Sequence, residues 1–303
     1  MTIRYDNRVA IVTGAGAGLG RSHALLLASR GAKVVVNDPG GSVDGTGGAN
    51  AVADTVVAEI RAAGGEAVAS YGSVSDEKAA QGIIDTAMNT WGRLDILVNN
   101  AGILRDKSFN KMENEDFRVV VDVHLMGTVY CTKAAWQIMR AAKYGRIVVT
   151  TSGSGTVGNF GQANYGAAKM AVNGFINVLR HEGQSYNIKL NAISPSARTR
   201  MTEDLINPEI LEFMKPELVS PAVAWMCSEQ CDVSGEIIAA NAGAYSVVKY
   251  FQTEGAQFDP AEEVTVDMFA DAWPKISDFT DAAPMGRSRG RLEARLRAMG
   301  RIK

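Results

Sequence analysis

The stretch Val9-Ala-Ile-Val-Thr13-Gly14-Ala-Gly-Ala-Gly18-Leu19-Gly20 decides how this chain folds. Its first five residues are a short apolar run with β-branched side chains, ended by glycine, which reads as a buried strand. Leu19 to Arg30 then carries helical spacing, and Gly31 stops it. A strand that passes through glycines into a helix has three uses for them: a sharp turn, close approach of a pyrophosphate to the backbone, and tight helix–strand packing. The positive end of the helix completes the anion cradle. Gly14, Gly18, Leu19 and Gly20 are therefore candidate dinucleotide contacts.

Working outward, the same alternation continues. Strands are expected at Lys33–Asp38, Ala67–Ser70, Ile96–Asn99, Arg146–Thr151, Lys189–Ile193 and Glu236–Ala240, with helical stretches between them, one of them Val52–Ala63. Strands separated by helices need crossover connections, so the sheet is parallel and covered on both faces. The expected fold is α/β, a Rossmann-like doubly wound parallel sheet in one domain over residues 1–245. Residues 246–303 are expected to be an extension packing on that domain or on a partner subunit. Near its end Leu292, Leu296 and Met299 recur at i, i+4 and i+7, so one face of a basic terminal helix can pack. Its arginines either lie on a solvated face or meet acyl-CoA phosphates or an acidic patch on a second subunit.

Composition narrows the function classes. The 303 residues are 46% hydrophobic and 21% charged, with a formal charge of −2, which gives no reason to expect nucleic acid or an anionic membrane as partner. Among the three cysteines, Cys227 and Cys231 lie four apart, but no histidine or acidic pair joins them at metal-ligand spacing, so they read as packing residues. No run of about 18 apolar residues is present. The start MTIRYDNR lacks a signal core and the end GRIK is not a peroxisomal address, so the expected location is cytoplasmic.

Asp38 ends the second strand 18 residues after Gly20. A carboxylate there accepts hydrogen bonds from the adenosine ribose and repels a 2′-phosphate, which favours NAD over NADP; alternatively it only initiates the Pro39-Gly40-Gly41 turn. Tyr165 and Lys169 are i, i+4 at the start of a helix and share a face. A tyrosine of pKa about 10 needs roughly 4 kcal/mol to become a base near neutrality, about what one ammonium at ~4 Å supplies at an effective dielectric of about 20. Lys169 is thus expected to make Tyr165 a general base. That spacing alone is common; context carries it. Ser152 stands just past the strand Arg146–Thr151, and Asn99-Asn100-Ala101-Gly102 ends the preceding strand, both at the edge where open parallel sheets hold ligands.

TGAGAGLG at 13–20, NNAG at 99–102, Ser152, and YGAAK at 165–169 occur in order, with Ser152 13 residues before Tyr165, and together resemble the short-chain dehydrogenase/reductase family. The resemblance spans residues 9–245. It implies that Tyr165 is the acid/base, that Ser152 positions the substrate oxygen, and that Lys169 also binds the nicotinamide ribose. It further implies cofactor contacts at Ser73, Val74, Asn100, Ala101, Gly102 and Pro195, and a homodimer or homotetramer. Two positions depart from the family pattern. His124 replaces the usual asparagine in Val123-His124-Leu125-Met126-Gly127, where it either keeps a proton-relay role or fills space; Pro195-Ser196 replaces Pro-Gly.

VVVNDPGG at 34–41, NNAGILRDKSF at 99–109, KYGRI at 143–147 and GNFGQANY at 158–165 resemble one branch, the (3R)-hydroxyacyl-CoA dehydrogenases of peroxisomal multifunctional β-oxidation enzymes, also described as steroid dehydrogenases. The branch implies an acyl-CoA substrate, a free steroid or other secondary alcohol being the alternative. With the sequence ending at Lys303, the dehydrogenase part alone is expected. Phe160 and Gln162 are candidate lining residues of the acyl pocket, and Met201, Leu205, Ile206 and Phe213 are candidates for a lid.

Overall fold

Every side chain of β1 (Val9–Thr13) is buried, as a strand covered on both faces requires. It lies in an eight-stranded sheet of order β3-β2-β1-β4-β5-β6-β7-β8, in the computed structural model. The other strands are β2 (Lys33–Asn37), β3 (Glu66–Ser70), β4 (Ile96–Asn99), β5 (Gly145–Thr150), β6 (Ile188–Ser196), β7 (Ile237–Asn241) and β8 (Ala244–Val248). The pairings among β1 to β7 are parallel. The structure describes residues 2–47, 51–198, 207–285 and 289–302.

All seven strands expected from the sequence are present, with ends shifted by at most one residue except at β6, which runs on to Ser196. Pro195 is tolerated there because β5 has already ended, with Thr150 opposite Ile193, so its missing N–H breaks no bond on that side. β8 was not legible. The turn before it uses Ala242 and Gly243, both at positive φ (47° and 86°), and alanine there carries none of the usual hairpin signal.

Helices cover the sheet. α1 (Gly18–Ser29) and α2 (Ala51–Ala62) pack together, and the later α9 (Ser220–Cys227) packs against α1. Their buried side chains join Ala10, Val12, Val34 and Val36 in one core. Between α2 and α9 the chain forms α3 (Glu77–Trp91), α4 (Asn114–Val121), a π-helical turn at Asp122–Met126, α5 (Gly127–Ala142), a single turn α6 (Gly153–Thr156), α7 (Ala163–Gly183) and the short α8 (Pro208–Leu211). α3 packs on α5, α4 on α7, and α7 on β6. Neighbours β2 and β4 leave β1 in opposite directions, so the carboxyl ends of β1 and β4 open a crevice at a topological switch point.

These elements belong to one compact unit, Met1–Val247; Val248–Lys303 is a second. The second unit pairs Phe251–Gln252 antiparallel with Ala283–Pro284 and contains helices at Val266–Ile276 and Arg289–Ala298. In the terminal helix and just beyond it Leu296 and Met299 are half-buried, while Leu292 is exposed. Among the described residues no helix is long and apolar enough to cross a membrane.

Candidate active site

The glycine loop is braced from the far side of the crevice. Asn100 Nδ2 donates to the carbonyls of Thr13 (2.9 Å) and Gly14 (3.1 Å). Thr13 Oγ1 in turn accepts from the backbone N–H groups of Asn100 (3.0 Å) and Ala101 (3.1 Å). Asn100 therefore ties the ends of β1 and β4 together, with Thr13 as a partner the sequence reading missed. At Gly20 a Cβ would stand 2.2 Å from the Gly14 carbonyl oxygen, so only glycine lets the helix start this close to the loop. α1 begins after Ala17 with no side-chain cap and no acidic residue in its first turn, so its first amides keep their capacity for an anion.

Asp38 sits beside this loop. Its Oδ2 accepts from Gly16 N and its Oδ1 from Gly40 N, each at 2.8 Å. The carboxylate thus both starts the turn after β2 and fixes the glycine loop, while each oxygen keeps a second lone pair for a ribose hydroxyl. Ser73 and Val74 follow β3 at the same edge; the Ser73 hydroxyl bonds Ser75 Oγ (2.9 Å), and Val74 is buried against Gly127. These residues fit a dinucleotide: an uncapped helix start, a backbone too close for side chains, and an acceptor carboxylate.

Ser152, Tyr165 and Lys169 come together as the sequence implied. Ser152 caps α6, its Oγ accepting from Ser154 N (3.1 Å), and its side chain acts on the Tyr165 phenol, favouring the ionised form. Lys169 is buried, donates from Nζ to the Thr150 carbonyl (2.6 Å), and lies 5.4 Å from the Tyr165 ring centroid. The electrostatics differ from the expectation that Lys169 alone brings Tyr165 toward neutrality. Burial pushes the phenol up to about 12, against the help of the Ser152 side chain, and the Asp106 charge pushes it further. Burial likewise lowers Lys169 to about 7. Sequence spacing could not supply these desolvation costs, which act on both members of the pair.

His124 lies in the π-helical turn, buried, with its ring edge-on to Tyr165 at 5.0 Å between centroids. Nε2 faces both the carbonyl (2.8 Å) and the N–H (3.1 Å) of Ile103, engaging one or the other according to tautomer. Burial, reinforced by Lys169, holds its pKa well below the usual value, so the ring is neutral. Among the described residues no side chain or backbone group partners its buried Nδ1. A Cβ on Gly102 would meet the ring at 2.4 Å, so this glycine makes room for the histidine.

The two candidate pocket residues part company. Phe160 is 90% exposed. Gln162 is buried and both ends of its amide are engaged: Nε2 donates to Asp106 (2.6 Å), and Oε1 accepts from Ser154 Oγ (2.7 Å) and Asn159 Nδ2 (3.1 Å). Gln162 braces the loop before Tyr165. Of the lid candidates, Phe213 is exposed, and Met201, Leu205 and Ile206 lie outside the described residues.

Comparison with known proteins agrees with this arrangement. The family model for short chain dehydrogenase matches residues 8–209. The Mycobacterium tuberculosis protein Rv0148, named a short-chain type dehydrogenase/reductase, is 49% identical over 281 residues, covering 93% of this chain and 98% of its own. Peroxisomal multifunctional enzyme type 2 of Drosophila melanogaster is 48% identical over 286 residues, covering 94% of this chain but 47% of its own. The chain thus spans about half of that relative; its full-length structure superposes with a TM-score of 0.83, covering 99% of this chain and 51% of that one at 42% identity. A 7α-hydroxysteroid dehydrogenase solved with NADH and 7-oxo glycochenodeoxycholic acid is 30% identical, with a TM-score of 0.72, covering 79% of this chain and 95% of that one. With its glycine loop, switch-point crevice and serine–tyrosine–lysine cluster in place, the chain belongs to the short-chain dehydrogenase family of oxidoreductases.

Proposed function

We propose that the protein is an NAD-linked dehydrogenase that oxidises (3R)-hydroxyacyl-CoA to the 3-ketoacyl-CoA, with Tyr165 as acid/base. The observation that carries the chemistry is buried Lys169, 5.4 Å from the Tyr165 ring centroid, with Ser152 at the end of the neighbouring strand where the glycine loop opens. Ser152 holds the substrate oxygen, and Tyr165 takes the hydroxyl proton from it. Bound NAD supplies a hydride acceptor and a positive ring charge; Gly14, Gly18, Leu19 and Gly20 would hold its pyrophosphate and Asp38 its adenosine ribose. The Ser73–Val74 segment, Ala101, Gly102 and Pro195 would line its remaining length, and Lys169 would hold its nicotinamide ribose. Lys169, charged, favours the phenolate once a substrate has displaced water from the pocket. Protonated, as burial favours in the chain alone, Tyr165 is the proton donor for the reverse reaction. His124 Nδ1 offers a relay point for a proton leaving past Lys169.

The Asp38 carboxylate supports NAD over NADP. Identity near 48% to a multifunctional enzyme supports the thioester substrate, while the likeness to a hydroxysteroid dehydrogenase makes a free alcohol the competing reading. The three cysteines are free thiols, as a reducing compartment such as the cytoplasm keeps them, and a homodimer or homotetramer is the assembly that family membership suggests. The test is NADH formation with (3R)- and (3S)-hydroxyacyl-CoA, with NADP and free hydroxysteroids alongside and Tyr165→Phe as control. Turnover of the (3R) thioester with NAD, lost in the variant, is expected. Activity confined to a free steroid overturns the substrate, and an active Tyr165→Phe overturns the assignment of the base.

A further inference from the structure

Between the end of β4 and the start of α7 lies a clamp that the proposed reaction leaves unexplained. Residues 105–107 grip residues 161–164 by several bonds. Lys107 N donates to the Gly161 carbonyl (2.9 Å). Gln162 Nε2 donates to Asp106 (2.6 Å), and Asn164 Nδ2 donates to the Arg105 carbonyl (3.0 Å) and to the Asp116 carbonyl (3.2 Å). Asn164 is fully buried and its Oδ1 accepts from Tyr165 N (2.7 Å), so the clamp ends on the tyrosine itself. Through Ser154, whose N–H holds Ser152 Oγ, the same glutamine reaches the serine.

Asp106 is the charged member of this clamp, and its chemistry is unusual for a structural strut. The neighbouring cations pass it by: Arg105 and Lys107 both direct their charge to Asp116. Among the described residues no salt bridge reaches Asp106, whose recorded side-chain partner is the neutral Gln162 amide. Asp106 is exposed as a residue although its bond to Gln162 is part-buried, and an amide there would hold Gln162 equally well.

We propose that Asp106 is a positioning residue of this reaction, holding Ser152 and Tyr165 in register through Gln162 while presenting a negative charge to their pocket. The inference rests on the reading of Tyr165 as acid/base. Burial raises the Asp106 pKa from its ordinary value, yet its charge still acts on Tyr165, opposing the phenolate. The other groups facing Tyr165 are Ser152, Lys169 on its own helix and neutral His124 from the π-helical turn. Asp116, on α4, is already paired with Lys107 and Arg105. Asp106 is therefore, among the described residues, a negative charge at the site without a salt bridge, and it adds to the burial that already favours the protonated tyrosine.

The test compares Asp106→Asn with Asp106→Ala, using (3R)-hydroxydecanoyl-CoA and NAD across a pH series, with NADH fluorescence to verify nucleotide binding. Asparagine keeps an acceptor for Gln162 and removes the charge. It is expected to hold kcat at the optimum within about threefold and to move the rising limb of the kcat/KM profile down by about half a pH unit. Alanine also releases Gln162 and is expected to lose about 10- to 100-fold in kcat, the scale of a small misplacement of reacting groups. Wild-type rates and profile in both variants overturn the proposal. Equal losses in both with an unmoved pH limb reduce Asp106 to a structural strut and overturn it as well. If the alanine variant does not fold, the asparagine profile decides alone. Tyr165→Phe run in parallel separates the two layers: activity there refutes the base, whereas its loss beside unaffected Asp106 variants refutes only the positioning role.

Discussion

Replacing Asp38 with asparagine isolates the charge that should choose the nucleotide. The carboxylate bonds Gly16 N and Gly40 N, each at 2.8 Å, from its two separate oxygens. Asparagine has one oxygen, so one of those amides loses its partner, at a cost of about 1–3 kcal/mol in loop order. That cost falls on both nucleotides alike and cancels in their ratio. The charge does not cancel. A 2′-phosphate carries nearly two negative charges. At roughly 5 Å from a carboxylate, with the high effective dielectric of a half-exposed site, its repulsion is worth about 2–3 kcal/mol. Neutralising Asp38 should therefore lower the preference for NADH over NADPH by about 30- to 150-fold. Loss of a charge-assisted hydrogen bond to the ribose, of about 1–2 kcal/mol, should weaken NADH itself and move the ratio the same way. The assay is nucleotide fluorescence, giving Kd for NADH and NADPH with wild type and Asp38→Asn, which needs no substrate. A ratio that moves less than threefold, or a wild type that already prefers NADPH, refutes the reasoning.

Lys169→Met should abolish turnover yet make the unliganded chain about 3 kcal/mol more stable at pH 7, measured by urea unfolding. The buried amine titrates near 7 in the fold but near 10.5 unfolded, so its cost is complete below 7 and disappears as pH rises through 10.5; the gain should shrink over that window. His23, bonded through Nδ1 to Ser220 Oγ (2.8 Å), is buried neutral with its pKa lowered to about 3. Its stability contribution is present above about 6.5 and is lost as pH falls toward 3. Between pH 7 and 5 wild type should lose about 2 kcal/mol more than His23→Gln in chemical unfolding, and equal slopes would refute this. Asp95, 3% exposed at the opposite edge of the sheet, accepts from Val9 N, Arg8 and both Nε and Nη2 of Arg93. Asp95→Asn should cost about 2–4 kcal/mol by denaturant midpoint without changing nucleotide affinity.

The parallel sheet was legible because buried strands must be short, apolar and bounded by glycine, and β1, β4 and β5 announce themselves in that way. The candidate chemical residues stand at strand ends and on one helical face, which is why Ser152, Tyr165 and Lys169 can be proposed from the sequence alone. Three features escaped. β8 follows a turn with alanine at positive φ, which defeats the usual turn signal. Gln162 reads from the sequence as a candidate pocket residue, and nothing in its spacing announces the bonds its amide makes to Asp106, Ser154 and Asn159. Asp106, inside a stretch quoted for its resemblance, gave no sign of acting on Tyr165, since nothing in the spacing of residues 106 and 165 brings them near.

The chain's own order of residues determined the fold class, the glycine loop, the acidic residue after the second strand and the side chains proposed to react. Each of these depends on local periodicity or on residue types at fixed spacing, which the backbone obeys within a few residues. Tertiary structure decided the electrostatics. Whether Tyr165 ionises, whether Lys169 and His124 carry charge, and which carboxylate opposes them depend on burial and on groups distant in sequence, because desolvation and Coulomb energies are set by distance through space.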